Sequence, residues 1–229
     1  KPWQQDAYVL NDGGADYVAH MEDVLDLYAE PLDPRRPRVC IDEHPYQLIS
    51  NVRAPLPAQP GHVSRYDYEY KREGTCNLFV VFQPEAAWRE VVVTKRRTKQ
   101  DFAHLLKRLV DVMFPEAEVI RLVTDNLNTH SNAALYETFP PDEARRIARK
   151  LEWHPTPVHG SWLNMVEIEI GILLRQCLNR RLATKELVQH ESTIWARKRT
   201  AEHRTVEWKF TTAEARKKLQ RMYPPLASA

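Results

Sequence analysis

Two apolar stretches that each end in an aspartate decide the predicted fold: VIRLVTD at residues 119–125 and VCID at residues 39–42. Short runs rich in β-branched residues and closed by a polar residue are typical of buried strands. In open α/β sheets, functional sites form beyond the carboxyl ends of the strands. If these two strands are neighbours in one sheet, Asp42 and Asp125 lie side by side at that edge.

A third acidic position lies in segment 162–179, which we predict to be a long buried helix because it is apolar almost all round. Glu167 and Glu169 fall at opposite edges of its apolar stripe, so periodicity does not decide which of them faces the aspartates. Three converging carboxylates repel one another unless a cation neutralises them. Mg²⁺ prefers oxygen ligands, and two such ions can clamp the attacking and leaving oxygens of a phosphoryl displacement.

These acids also have a purely structural interpretation. An aspartate that follows a strand is usually a turn former or a helix cap, and Asp125-Asn126 before a predicted helix fits that pattern. Spacing alone favours this alternative. The metal-site hypothesis therefore depends on whether the carboxylates converge in the folded chain.

The remaining segments supply the other layers of the predicted fold. A hairpin is predicted at 77–83 and 90–94, and another short strand at 151–154. Further helices are predicted at 20–30, 100–114, 131–138 with Ser131 as N-cap, 142–150, 184–199 and 211–222. Strands and helices in this order predict an α/β fold with a mixed sheet and helices on both faces.

We expect three regions along the chain. Residues 1–37 are predicted to be an arm or linker with one short helix, because Pro34 and Pro37 break any continuation of that helix. Residues 38–224 form the main domain, and residues 225–229 form a tail.

The composition excludes several function classes. The 229 residues are 43% hydrophobic, which is enough for a packed core and too much for a disordered chain. No apolar run approaches the roughly 18 residues of a membrane span, and the six glycines form no phosphate-binding loop motif. Cys40, Cys76 and Cys177 do not suggest a disulfide framework, so we expect a reducing compartment. The net charge of +2 says nothing about where the basic residues cluster.

Three sequence blocks carry a family resemblance: VCIDE at 39–43, VTDNLNTH at 123–130 and HPTPVHGSWLNMVEIEI at 154–170. Together with flanking stretches at 21–37 and 208–224, they resemble bacterial insertion-sequence transposases of the mariner-like superfamily. The resemblance implies an RNase H-like catalytic domain with a five-stranded mixed sheet. It also implies a triad of two aspartates and one glutamate that binds Mg²⁺ or Mn²⁺, as two ions.

Carried over residue by residue, the resemblance places the catalytic and metal-binding acids at Asp42, Asp125 and Glu167. It selects Glu167 over Glu169 because Leu163-Asn164-Met165-Val166-Glu167 matches the family motif. We expect supporting roles for Asn126, His130, His159, Trp162 and Asn164. A structural histidine at position 130 and a core-packing tryptophan at position 162 are the alternatives to direct functional roles.

The chain departs from the family pattern in two ways. First, 41 residues separate Asp125 from Glu167, which is longer than is common in the superfamily. Second, such transposases carry helix-turn-helix modules that read the transposon ends, and we expect this chain to represent the catalytic half alone.

The implied function is metal-dependent cleavage of transposon ends followed by strand transfer into target DNA. The implied partners are transposon-end and target DNA, with a homodimer assembled on that DNA. The implied location is the bacterial cytoplasm, at the nucleoid when DNA is bound. Alternatives are a metal-dependent nuclease without strand transfer and a non-catalytic regulatory fragment. Residues predicted to bind DNA are Lys95, Arg96, Arg97, Lys99, Arg180 and Arg181.

Overall fold

The computed structural model describes residues 13–125 and 131–225, which build a five-stranded mixed sheet. The strands are β1 (Arg38–Asn51), β2 (Tyr70–Gln83), β3 (Trp88–Thr94), β4 (Ile120–Thr124) and β5 (Leu151–Pro155). Their order across the sheet is β3-β2-β1-β4-β5. β1, β2 and β3 pair antiparallel, whereas β1, β4 and β5 run parallel.

Helices cover both faces of this sheet. The α-helices are α1 (Ala15–Ala29), α2 (Lys99–Arg108), α3 (Ala133–Tyr136), α4 (Pro141–Ala148), α5 (Val166–Leu173), α6 (Lys185–Ala201) and α7 (Thr212–Lys218). α1, α5, α6 and α7 share one hydrophobic core with the sheet, and α2, α3 and α4 share the other. This arrangement confirms the predicted α/β class with helices on both faces. No helix in the described part of the chain is long and apolar enough to cross a membrane.

β1 and β2 are much longer than predicted. The apolar pattern marked only residues 39–42 and 77–83, whereas pairing continues from Cys40 opposite Phe82 out to Asn51 opposite Tyr70. Most side chains in the added pairs are polar or exposed, and the buried Leu48 and Cys76 among them are too few to mark a strand in the sequence. The segment between the strands, residues 52–69, has only two isolated bridges; we call it the flap.

The predicted helices at 162–179 and 131–138 are shorter than the sequence indicated. The first is divided into a 3₁₀ turn (Ser161–Leu163), α5 and a π-helical turn (Leu174–Leu178). It is interrupted at Asn164, whose backbone is extended. The second begins at Ala133 with Asn132 as N-cap, so the assignment of Ser131 as N-cap was wrong.

α1 packs into the core. Its side chains Met21, Val24 and Leu25 are at most 1% exposed and belong to the same cluster as α5. Across from it, the Arg216 guanidinium binds the Glu22 carboxylate at 2.7–2.8 Å. The division of the chain at residue 37 stays a prediction, but α1 and the sheet share one core.

The Glu22 ion pair predicts a pH-dependent contribution to stability. Glu22→Gln is expected to lower the Tm by about 1–3 °C at pH 7 and by less near pH 3. The hydrogen bond from Arg216 lowers the pKa of Glu22 below its ordinary value of 4.5. A carboxylate with a lowered folded-state pKa stabilises the fold above its unfolded pKa, and that contribution disappears as pH falls through the folded value. Thermal unfolding at both pH values measures the effect.

The matched control is Glu116→Gln, because Glu116 is exposed and pairs with no cation among the described residues. Equal losses for the Glu22 variant at pH 7 and pH 3 would contradict the assignment.

The free edge of β3 is covered by α6. The side-chain amide of Gln189 accepts a hydrogen bond from the Val93 amide at 2.8 Å and donates one to the Val91 carbonyl at 2.8 Å. The Gln189 side chain thus makes the two hydrogen bonds with β3 that the backbone of an adjacent strand would make.

Candidate active site

Asp42 and Asp125 are brought together by the parallel pairing of β1 and β4. Cys40 lies opposite Val123 in this ladder, and each aspartate follows its partner residue by two positions. Both carboxyl groups therefore lie at the same edge of the sheet. Asp42 is 6% exposed and Asp125 is half-buried.

Glu167 approaches the two aspartates from the first turn of α5. Burial raises the pKa of Asp42 to about 8, and the negative charges of Asp125 and Glu167 raise it as well. The Glu43 amide, which donates a hydrogen bond to the Asp42 carboxylate at 2.7 Å, acts in the opposite direction and lowers the pKa. The side chain of Glu167 also interacts with that of Asp42 and raises its pKa further. The three predicted acids therefore converge.

Asn164 holds the start of α5 against β1. Its side-chain amide is 1% exposed and donates to the Ile41 carbonyl at 3.0 Å, next to Asp42. Its backbone carbonyl accepts from the Glu167 amide at 3.1 Å. One residue thus links the strand of the first acid to the helix of the third, which explains the interrupted helix.

Glu169 belongs to a different structure from Glu167, although both lie on α5. The Glu169 side chain is fully buried and pairs with Arg89 at 3.1 Å and Arg199 at 2.8 Å. These contacts tie α5 to β3 and α6, on the side away from the aspartates. Glu169 is therefore occupied by buried ion pairs, whereas Glu167 interacts with Asp42, and Glu167 stays the predicted third acid.

His44 is a site residue that the sequence analysis missed. It follows Asp42 by two positions on β1, so both side chains point to the same face of the sheet. Burial lowers the pKa of His44, and the negative charge of Glu167 opposes that shift. Period-two alternation could have found this residue if the strand had been extended beyond Asp42.

The other predicted supporting residues have varied outcomes. Asn126 and His130 lie outside the described residues. His159 is exposed and has a φ of 61°, in the left-handed region. Trp162 stacks on Trp208 at a centroid distance of 6.4 Å and remains 43% exposed, so it forms a surface aromatic cluster and is not a buried core residue.

Most of the sequence matches a known protein family. The sequence pattern of the family described as "DDE superfamily endonuclease" matches residues 37–189, about two thirds of the chain. The chain belongs to this family. No curated protein matches this DDE endonuclease.

The chain is similar to two solved structures, of which the first shares its fold. It is similar to the Mos1 mariner paired end complex with Mn, with a TM-score of 0.51 and 14% identity, over 95% of this chain and 64% of that chain. It also matches the catalytic domain of Mos1 mariner transposase, with a TM-score of 0.48 and 13% identity, over 89% of this chain and 100% of that chain. The first likeness confirms the predicted RNase H-like fold. The chain spans less than two thirds of the length of the Mos1 chain in that complex.

The donor set of the DDE endonuclease fits a hard divalent cation. Three carboxyl groups supply only oxygen ligands, and a cation would favour the ionised form of Asp42, whose pKa is raised by burial and by the charges of Asp125 and Glu167. In residues 13–125 and 131–225, no three acidic, His or Cys side chains already enclose an ion-sized space. Metal binding would therefore require these three carboxylates to move closer together.

The predicted DNA-binding residues fall into two groups. Lys95 and Arg96 are exposed, and they line a surface recess with Lys185. The others have protein partners: Arg97 lies 3.9 Å from Glu43, Lys99 lies 2.8 Å from Glu137, Arg180 pairs with Glu191, and Arg181 binds backbone carbonyls of the flap. Three of these four pair with an acid, so their charge is partly compensated.

Proposed function

We propose that the chain is the catalytic domain of a DNA transposase, which cleaves transposon ends and joins them to target DNA. The observation that carries this proposal is the convergence of Asp42, Asp125 and Glu167 at one sheet edge of a DDE endonuclease. The likeness to the Mos1 paired end complex supports it at the level of fold.

In this proposal the three acids hold divalent cations. Asp42 and Asp125 would share one Mg²⁺ or Mn²⁺ ion, and Glu167 would bind a second. Bound ions of this kind lower the pKa of water and stabilise charge on the transferring phosphate. The protein fixes the acids: the β1–β4 ladder sets the aspartates, and Asn164 sets the start of α5 relative to Asp42. This rigidity favours an in-line geometry of the attacking and leaving oxygens.

We also propose how the protein assembles on DNA and where it acts. A transposase of this kind would bind two transposon ends as a homodimer and would act beside bacterial DNA. The exposed Lys95 and Arg96 are suited to sequence-independent phosphate contacts, since no ion pair in the described residues engages them.

A strand-transfer assay tests this function and separates its alternatives. The substrate is a labelled oligonucleotide that already carries the free 3′-OH of a cut end, and the target is a supercoiled plasmid. We expect joined products with MnCl₂ or MgCl₂ and none with EDTA. Nicking of the plasmid without joining would indicate a nuclease. Tight DNA binding by folded protein with neither reaction would indicate a regulatory fragment.

A further inference from the structure

A cavity of about 710 Å³ lies between β1, the flap and the turn after α5, and it extends from His44 along β1 to Asn51, away from the three acids. His44 and Tyr46 form its wall on β1, and they follow Asp42 by two and four positions on the same strand. His44 is therefore about 7 Å along the strand from the Asp42 position. We call this space the flap cavity.

The flap cavity has the chemistry of a site for an anion with an aromatic ring. Arg65, Arg180 and Arg181 line it, and none of the described residues around it is acidic. Arg65 pairs with no carboxylate in the part of the chain that the structure describes. Arg180 is partly compensated by Glu191, which lies outside the lining, but no lining residue is acidic, so the cavity still favours a phosphate-bearing ligand.

Tyr66 offers an aromatic surface at the mouth of the cavity. The guanidinium of Arg181 lies 4.9 Å from the centre of its ring, yet Tyr66 is still 71% exposed. Arg181 also donates to the carbonyls of Asp67 at 2.7 Å and Glu69 at 2.8 Å. The flap is thus fixed in place with one face of the Tyr66 ring open.

We propose that the flap cavity receives one unstacked nucleotide of single-stranded DNA, several nucleotides along the strand from the cleavage position. Its base stacks on Tyr66 and its phosphate lies in the field of Arg65 and Arg180. Aromatic stacking and a cationic surface are the two elements by which proteins hold single strands without reading sequence. This inference rests on the proposed function, because it takes DNA as the substrate of the neighbouring acids.

Photo-crosslinking tests the placement directly in the wild-type chain. The probe is a single-stranded oligonucleotide with one 5-bromodeoxyuridine, irradiated in EDTA so that no cleavage occurs. We expect the crosslinked peptide to contain Tyr66 or Tyr46. A crosslink confined to other parts of the chain would overturn the inference.

A pair of flap variants tests the energetic role. Tyr66→Ala is expected to weaken binding of single-stranded DNA by about 5-fold to 100-fold, as measured by fluorescence anisotropy, because one stacking contact is lost. Tyr66→Phe keeps the ring and should bind like wild type. Tyr68→Ala is the matched control, since Tyr68 is 86% exposed on the same flap and does not line the cavity.

Equal weakening by Tyr66→Ala and Tyr68→Ala would overturn the nucleotide site. So would a DNA-free dimer of the wild type that Tyr66→Ala abolishes, because a second copy would then occupy the cavity. Failure of the proposed function has a different result: the strand-transfer assay gives no product while the crosslink to Tyr66 persists.

Discussion

Asp42→Asn is expected to lower the rate of DNA strand cleavage at least about 10³-fold while the chain stays folded. The amide is the same size as the carboxylate but supplies no anionic oxygen to a divalent cation. The fold should tolerate the change, because burial already raises the pKa of Asp42 to about 8 and a neutral side chain removes one of three converging charges. Cleavage of transposon-end DNA with MnCl₂ and thermal unfolding measure the two outcomes.

The matched control is Asp142→Asn, because Asp142 is exposed in the first turn of α4 on the opposite face of the sheet. The Tm measured with MnCl₂ reports metal binding independently of cleavage. MnCl₂ should raise the Tm of the wild type and of the control, and should raise the Tm of Asp42→Asn much less. An Asp42→Asn variant that cuts DNA at the wild-type rate would refute the assigned role of Asp42.

Glu169→Gln is expected to lower the free energy of unfolding by about 3–5 kcal/mol. Glu169 and Arg89 have no exposed side-chain surface and Arg199 is 12% exposed, and no other ion pair in the described part of the chain compensates their charges. Removal of the central carboxylate leaves two guanidinium groups facing each other in the core. Because burial already lowers the pKa of Arg89, its charge is costly there without Glu169. Urea denaturation measures the loss.

The matched control lies two residues earlier on the same helix. Glu167→Gln should change the free energy of unfolding little, because Glu167 is exposed, and it should abolish cleavage. Glu167→Gln and Glu169→Gln thus separate the loss of activity from the loss of stability within one turn of α5. A Glu169→Gln variant as stable as the wild type, or a Glu167→Gln variant that still cleaves, would contradict this division.

The positions of the two aspartates were predictable because a local pattern determines them. An apolar run that ends in an acid defines each strand, and parallel neighbours bring such ends together. The choice between Glu167 and Glu169 was not predictable from periodicity, since both lie at the edge of the apolar stripe. The environment of Glu169 is set by Arg89 and Arg199, which come from distant parts of the sequence.

The long hairpin and the interrupted helix show a second limit on what a local sequence pattern can predict. β1 continues past Asp42 because β2 supplies backbone partners, although residues 43–51 lack an apolar pattern. His44 was missed for this reason. The break at Asn164 depends on a hydrogen bond to Ile41, a contact across 123 residues that no helical propensity reveals.

The amide of Gln189 also limits how copies of this chain can join. An open edge strand presents backbone groups on which another chain can add a strand, leading to sheet extension or to aggregation. At β3 the groups of Val91 and Val93 are already satisfied by a side chain from α6. A continuous sheet across two copies is therefore blocked at β3, so a dimer on DNA would have to form through another part of the surface. The same amide protects the strand from uncontrolled polymerisation when protein is concentrated on a DNA molecule.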